Sequence, residues 1–70
     1  MMPLVYAEKE KPLIIKKIGG NPGVKKHLED LGFNVGGQIS IVSTLGENLI
    51  VKVRESRVAV SDELAKKIYV

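Results

Sequence analysis

The chain has 70 residues and no cysteine, so it is long enough for one domain and has neither disulfides nor zinc thiolates to stabilise it. Hydrophobic residues make up 44% of the chain and charged residues 27%, a globular balance that excludes a disordered protein. The longest apolar run, residues 4–7, is far shorter than the roughly 20 residues of a membrane-spanning helix or the roughly 7–15 of a signal peptide. We therefore expect one small cytoplasmic domain over residues 1–70.

The positive charge of the chain is dispersed. The formal net charge is +3, of which +2 lies in residues 1–20 and +1 in residues 38–60, and no basic run exceeds two residues. Nucleic-acid-binding proteins concentrate Lys and Arg in a stripe, often with aromatic residues for stacking. The aromatic residues here, Tyr6, Phe33 and Tyr69, are not interleaved with the basic pairs. We therefore expect a solvated surface without a nucleic-acid partner, and keep a nucleic-acid-binding barrel as an alternative hypothesis.

The first regular element predicted is a strand over residues 13–18, between Pro12 and the glycine pair at 19–20. Strands with one buried face alternate apolar and polar residues, but this segment alternates in two incompatible ways. Two inward faces of opposite register fit it: Leu13 with Ile15, or Ile14 with Ile18. The sequence leaves the register of this strand open.

A helix of about ten residues follows, with start and stop signals at both ends. Asn21 suits the N-cap, Pro22 suits the first helical position, and Gly32 suits the position just past the end. Its apolar face is formed by Val24, Leu28 and Leu31.

The rest of the chain reads as short strands and one more helix. The elements in order are a strand at 38–45, a loop at 46–48, a strand at 49–54, a connection at 55–56, a strand at 57–60, a short helix capped by Ser61 with an apolar stripe that includes Ile68, and an extended end at 69–70. Periodicity places five residues in the core: Leu28, Ile39, Ile41, Val51 and Val53. These elements predict a mainly β protein, a small, partly open β-barrel with two short helices.

The order of motifs also carries a family resemblance. Residues 27–36, HLEDLGFNVG, are similar to the signature L-x-x-L-G-hydrophobic-x-x-G of FeoA proteins. The family's later motifs follow in order, at residues 39–41 (ISI), 51–53 (VKV), 57–60 (RVAV) and 63–70 (ELAKKIYV). The match runs along essentially the whole chain.

This resemblance implies an SH3-like β-barrel and a role in ferrous iron uptake. FeoA proteins are small cytosolic accessories of FeoB, a membrane transporter with a cytosolic GTP-binding domain. The resemblance therefore implies an adaptor that docks on a FeoB-type transporter, and it leaves self-association open.

The residues themselves favour binding over catalysis. His27 is the only imidazole, no serine lies in a G-x-S-x-G elbow, and no glycine-rich loop carries the Lys-Ser/Thr of a phosphate-binding P-loop. The paired acids at 29–30 and 62–63 are adjacent on helices, so each pair diverges by about 100° and shares no site. We expect no enzymatic activity.

Metal binding has one weak candidate. His27 and Asp30 stand three residues apart on the predicted helix and offer two ligands, fewer than a tight site needs. The alternative is that His27 packs its ring against the core. We therefore expect no cofactor and at most weak divalent-metal binding, and a metal sensor or carrier remains an alternative function.

Partner binding has three candidate residues. Lys52 and Arg54 lie on the predicted strand face opposite the core, and Phe33 follows the helix end as an exposed apolar anchor. The alternative for Phe33 is the hydrophobic contact that accompanies helix C-caps. The glycine-rich turns are further candidates, and Arg57 is expected to act as a structural salt-bridge partner.

Overall fold

The computed structural model describes all residues from Met1 to Val70. After a short 3-10 helix at Leu4–Tyr6 it contains six strands and two α-helices. In chain order these are β1 (Leu13–Ile14), β2 (Lys17–Ile18), α1 (Pro22–Asp30), β3 (Gln38–Leu45), β4 (Asn48–Val53), β5 (Ser56–Ser61), α2 (Asp62–Ala65) and β6 (Ile68–Tyr69). The predicted mainly β class with two short helices is confirmed.

The strand predicted over residues 13–18 is wrong as one element, because the chain bends inside it. β1 pairs with β3, whereas β2 pairs with β6 in a separate two-stranded sheet. The buried residues Ile15 and Ile18 are three apart, with exposed Lys16 and Lys17 between them. A straight strand would turn one of these isoleucines outward, so the bend lets both reach the core. Before the bend, the register with Leu13 and Ile15 inward holds. The alternative register fails at Ile14, which is 49% exposed, and holds at Ile18 beyond the bend.

Backbone hydrogen bonds fix this bend from two sides. The N–H of Ile15 donates to the carbonyl of Gly37 (2.9 Å), and the N–H of Gly36 donates to the carbonyl of Ile15 (2.8 Å). One residue later, the N–H of Lys16 donates to the carbonyl of Tyr69 (2.7 Å). The bend is therefore the point at which the chain passes from one sheet to the other.

The four-stranded sheet has the order β1-β3-β4-β5 and contains the core-forming strands. Two-residue turns join β3 to β4 at residues 46–47 and β4 to β5 at residues 54–55. The β3–β4 turn is one residue shorter than predicted, since Asn48 already pairs with Leu45. The β4–β5 turn lies one residue earlier than predicted, since Ser56 already pairs with Val53. The register of β3 shifts between Ile41 and Ser43, which indicates a β-bulge.

One hydrophobic cluster of 14 residues forms the core. The five core residues predicted from periodicity are all buried, with at most 2% of their surface exposed. The remaining members are Leu4, Ile15, Ile18, Phe33, Leu49, Val60, Ala65, Ile68 and Val70. Six of these nine lie before α1 or after β5, so both ends of the chain help to build the core.

The C-terminal strand is paired on both sides and connects the two ends of the chain. On one side β6 pairs with β2, and on the other Tyr69 forms a bridge with Pro3. Met2 and Val70 exchange two backbone hydrogen bonds of 2.9 and 2.8 Å. Ile68 is therefore held in a strand, and the predicted extension of the second helix to this residue is wrong.

Both helices begin as their sequences predict. The side chain of Asn21 accepts a hydrogen bond from the N–H of Val24 (2.9 Å), and the hydroxyl of Ser61 accepts one from the N–H of Leu64 (3.3 Å). Neither helix combines the length and the apolar character that crossing a membrane requires.

A matched pair of valine substitutions tests the core assignment. Val51 is fully buried, whereas Val35 is 65% exposed. Val51→Ala removes packed methyl groups and should lower the free energy of unfolding by about 1–3 kcal/mol, while the same change at Val35 should alter it by less than about 0.5 kcal/mol. Urea denaturation of both variants measures the difference. Equal midpoints for the two variants would contradict this register of β4.

Candidate functional site

The C-terminal end of α1 determines where Phe33 points. Gly32 has a φ of 108°, a left-handed conformation that suits glycine. The N–H of Gly32 donates to the carbonyl of Glu29 (2.9 Å) and the N–H of Phe33 to the carbonyl of Leu28 (3.0 Å). This is the Schellman pattern, in which the residue after the glycine commonly contacts the last turn of the helix.

The predicted exposed anchor at Phe33 is wrong. Phe33 has no exposed surface and is the largest fully buried side chain of the protein. The physical reason is the helix ending itself, because the reversal at Gly32 directs the chain back toward Leu28, which is also fully buried. The alternative interpretation, a hydrophobic contact at the helix cap, is the one that the structure supports.

The turn between β4 and β5 has an unusual residue at its first position. Gly46 occupies the first position of the β3–β4 turn with a φ of 60°, and Arg54 occupies the same position of the β4–β5 turn with a φ of 57°. Glycine adopts this conformation freely, whereas a residue with a Cβ pays roughly 1 kcal/mol or more. Arg54 therefore holds a conformation in which a smaller residue would be more stable.

Two further cations stand beside Arg54. Lys52 and Arg57 are directly opposite each other in the β4–β5 register, and like charges in this arrangement repel. Lys52, Arg54 and Arg57 are all exposed, and none lies within 4.0 Å of a carboxylate, since the protein's one ion pair joins Lys11 and Glu8 (3.8 Å). The predicted role of Arg57 as a salt-bridge partner is therefore wrong. We call these three residues the basic hairpin end.

The basic hairpin end borders a shallow surface depression. Its volume is about 480 Å³, and its lining residues are Gln38, Ile39, Ser40, Lys52, Arg54 and Glu55. Lys52 and Ser40 are cross-strand partners on the side of the sheet away from the core. The depression thus offers two cations, a hydroxyl and an amide group beside the one carboxylate of Glu55. The two cations are suited to binding a carboxylate or phosphate.

The side chain of Arg54 lies close to the C-terminal end of α1. A methyl group placed on Gly32 would lie 3.7 Å from the γ-methyls of Val53 and 3.9 Å from the Cδ of Arg54. The two regions singled out in the sequence, the 31–33 corner and the basic strand, are therefore neighbours. The corner contributes a surface for the arginine stem, while its phenylalanine points inward.

The weak metal candidates do not gain a third ligand from the fold. His27 and Asp30 are both exposed on α1, so the alternative interpretation, in which the His27 ring packs against the core, is wrong. No three His, Cys, Asp or Glu side chains are grouped closely enough to hold a metal ion. The side chains buried in this protein are all hydrophobic.

Sequence reasoning found Lys52 and Arg54 but missed Gln38, Ser40 and Arg57 as their neighbours. The signal for Arg57 was present, because a two-residue turn at 54–55 places residue 57 opposite residue 52. Assigning the turn one residue too late hid this pairing.

Comparison with known proteins decides the family. The family model described as FeoA domain matches residues 2–70. This chain belongs to the FeoA family. A curated relative from Methanocaldococcus jannaschii, whose name assigns it to Fe(2+) transport, is 30% identical over 70 residues, covering all of this chain and 85% of the relative.

Solved structures of FeoA proteins share the fold. The zinc complex of Stenotrophomonas maltophilia FeoA, described as a prokaryotic SH3 domain protein, has a TM-score of 0.83 at 24% identity, with 99% of this chain and 88% of that chain covered. A second FeoA crystal structure, described as an iron uptake regulatory protein, has a TM-score of 0.85 at 24% identity, covering 96% of this chain and 89% of that chain. The predicted SH3-like barrel is confirmed.

The same fold occurs within a longer protein. ScaR with bound Zn2+ has a TM-score of 0.86 at 20% identity, and the match covers 99% of this FeoA-family chain but 35% of ScaR. At this identity the likeness concerns the fold.

Removing the Phe33 ring should destabilise the protein. Phe33→Ala opens a cavity in the core and should lower the free energy of unfolding by about 3–5 kcal/mol. Thermal unfolding followed by circular dichroism measures the loss, with Tyr6→Ala as the control because Tyr6 is 71% exposed. A Phe33→Ala variant with the parent's midpoint would restore the exposed-anchor interpretation.

Metal binding by the isolated chain should be weak. With one histidine, no cysteine and no group of three ligands, we expect less than one equivalent of metal to survive dialysis after incubation with Fe²⁺ or Zn²⁺. Elemental analysis of the parent and of His27→Ala measures the metal that remains bound after dialysis. One tightly held equivalent on the parent would overturn the expectation, and its loss in His27→Ala would assign it to α1.

Proposed function

We propose that this chain is a non-catalytic accessory of ferrous iron transport that docks on the cytosolic part of a FeoB-type transporter through the basic hairpin end. Family membership and the Fe(2+) transport name of the M. jannaschii relative support the transport role. S. maltophilia FeoA is likewise described as a proposed activating factor of bacterial ferrous iron transport. Ferrous iron is then the cargo of the transporter, and no cofactor is required by this chain.

The observation that carries the docking proposal is the conformation of Arg54. Its φ of 57° is less favourable for arginine than for glycine, which fills the equivalent place in the β3–β4 turn. Strained backbone of this kind concentrates at functional sites, where the side chain is needed in spite of its conformational cost. The exposed guanidinium at a hairpin tip supports a binding role.

The charges around Arg54 indicate the chemistry of the partner surface. Lys52 and Arg57 repel each other in the free protein and lack carboxylate partners. An acidic partner surface would relieve this repulsion and accelerate encounter through electrostatic attraction. We therefore expect the docking surface of the transporter to be rich in Asp and Glu.

Substitution of the two predicted cations tests the docking surface. Arg54→Gly removes the guanidinium and relieves the positive φ, and Lys52→Met removes a charge but keeps an unbranched apolar stem. Each should weaken binding to the purified cytosolic domain of the transporter by about tenfold, equivalent to 1.4 kcal/mol. Isothermal titration calorimetry measures the affinity, and binding should weaken as salt is raised.

Two controls separate docking from folding and from general charge effects. Arg54→Gly should unfold at or above the parent's midpoint, because the substitution removes backbone strain. Lys26→Met carries the same charge loss as Lys52→Met on an exposed position of α1 and should bind as the parent does. Parent-like affinity of both hairpin variants would move the docking surface elsewhere, and a parent without affinity would remove the adaptor function. Salt-sensitive RNA or DNA binding in its place would favour the nucleic-acid alternative.

A further inference from the structure

We infer that the chain forms a two-fold symmetric homodimer in which β5 pairs antiparallel with β5 of a second copy, centred on Ala59. This inference concerns the free edge of the sheet and does not depend on the proposed docking function. It rests on the backbone groups left unpaired at that edge and on the distribution of charge along it.

The hydrogen-bond pattern of the β4–β5 hairpin determines which groups face the free edge. Because the turn has two residues, Val53 and Ser56 form the first hydrogen-bonded pair. Hydrogen-bonded and non-hydrogen-bonded pairs alternate along antiparallel strands, so the backbone groups of Ser56, Val58 and Val60 point toward β4. Those of Arg57, Ala59 and Ser61 point away from it.

No other segment pairs with the outward groups of Arg57 and Ala59. β5 is an edge strand with β4 as its one neighbour, and no loop donates a backbone hydrogen bond to it or accepts one from it. Arg57 and Ala59 are exposed. A row of unpaired N–H and C=O groups of this kind is a template for pairing with another strand.

The opposite edge of the sheet consists of β1 and the part of β3 beyond it, which the β-bulge between Ile41 and Ser43 interrupts, whereas β5 is continuous. β1, at the opposite edge, has two residues and follows Pro12, and short strands and proline are two ways in which proteins block edge pairing. β5 has six residues, no proline and no register shift against β4. Its one charged residue is Arg57, at the end nearer the turn.

Antiparallel pairing about Ala59 places the outward backbone groups of the two strands opposite each other. Ala59 then lies opposite Ala59 of the second copy, and Arg57 lies opposite its Ser61. All three outward residues of one strand meet outward residues of the other. Because the carbonyl of Ser61 accepts the first hydrogen bond within α2, this pairing gives about four backbone hydrogen bonds. The small side chain at the centre of the pairing leaves the two backbones free to approach.

The charge along β5 fits this symmetric arrangement. Arg57 marks one end of the strand, and the other end leads directly into Asp62 and Glu63 in the first turn of α2. Two-fold symmetry places the end that carries Arg54, Glu55 and Arg57, whose net charge is positive, beside Asp62 and Glu63 of the other copy, so the same net attraction occurs twice. A parallel arrangement would instead place Arg57 beside Arg57, and this argues for a second, antiparallel copy as the occupant.

Sedimentation velocity over a concentration series from about 10 µM to 1 mM tests the dimer. The parent should shift from monomer toward dimer as concentration rises. Arg57→Glu and Glu63→Lys should each weaken dimerisation by tenfold or more, because each places like charges together at both ends of the interface. The double variant Arg57→Glu/Glu63→Lys restores opposite charges and should recover dimerisation. Lys26→Glu has the same charge change as Arg57→Glu, but on α1, and should behave as the parent.

Backbone amides report the register of pairing without any substitution. By NMR, the amides of Arg57 and Ala59 should become protected from solvent exchange as concentration rises, whereas Val58 and Val60 should stay equally protected at every concentration. A parent that is monomeric at 1 mM by both methods would overturn the inference. So would a dimer that neither single charge reversal weakens, or one that protects amides elsewhere and leaves Arg57 and Ala59 unchanged.

Discussion

The pairing of the last three residues with both the start of the chain and β2 is the constraint on which the rest of this small barrel depends. Val70 exchanges two backbone hydrogen bonds with Met2, and Tyr69 accepts one from Lys16. Ile68 and Val70 at the same time complete the core. Without disulfides, a domain of this size depends on such contacts to close its sheet. The bend at residues 15–16 exists because one stretch of chain must serve both sheets.

The sequence was most informative where structure depends on near neighbours. α1, β3, β4 and β5 follow from cap residues and from strict alternation, signals that act within a few residues. The bend between β1 and β2 could not be predicted in the same way, because it depends on pairing with Gly37 and Tyr69, which are distant in sequence. Its trace in the sequence is the conflict between two registers within residues 13–18.

The candidate site was predicted in part, and the reasons differ from residue to residue. Lys52 was predictable because a charged residue between Val51 and Val53 must face away from the core. Phe33 was misjudged because a glycine-terminated helix reverses the chain and returns the next side chain to the helix. Arg54 was placed in a strand, and its turn conformation is hidden from the sequence because glycine, the usual signal for a positive φ, is absent there. The proposed docking surface is therefore defined more by the backbone conformation of the β4–β5 turn than by the residue types along it.

The contrast between the two sheets also determines the order in which parts of the barrel form and open. β3, β4 and β5 are consecutive and joined by two-residue turns, so their contacts require little loop closure and we expect them to nucleate folding. β2 and β6 lie near opposite ends of the chain and have two residues each, so their pairing pays a larger closure entropy for fewer bonds. We therefore expect β6 to pair last during folding and to detach first in native-state fluctuations. Detachment of β6 exposes Ile68, while the β3–β4–β5 meander, which carries Lys52 and Arg54, stays folded.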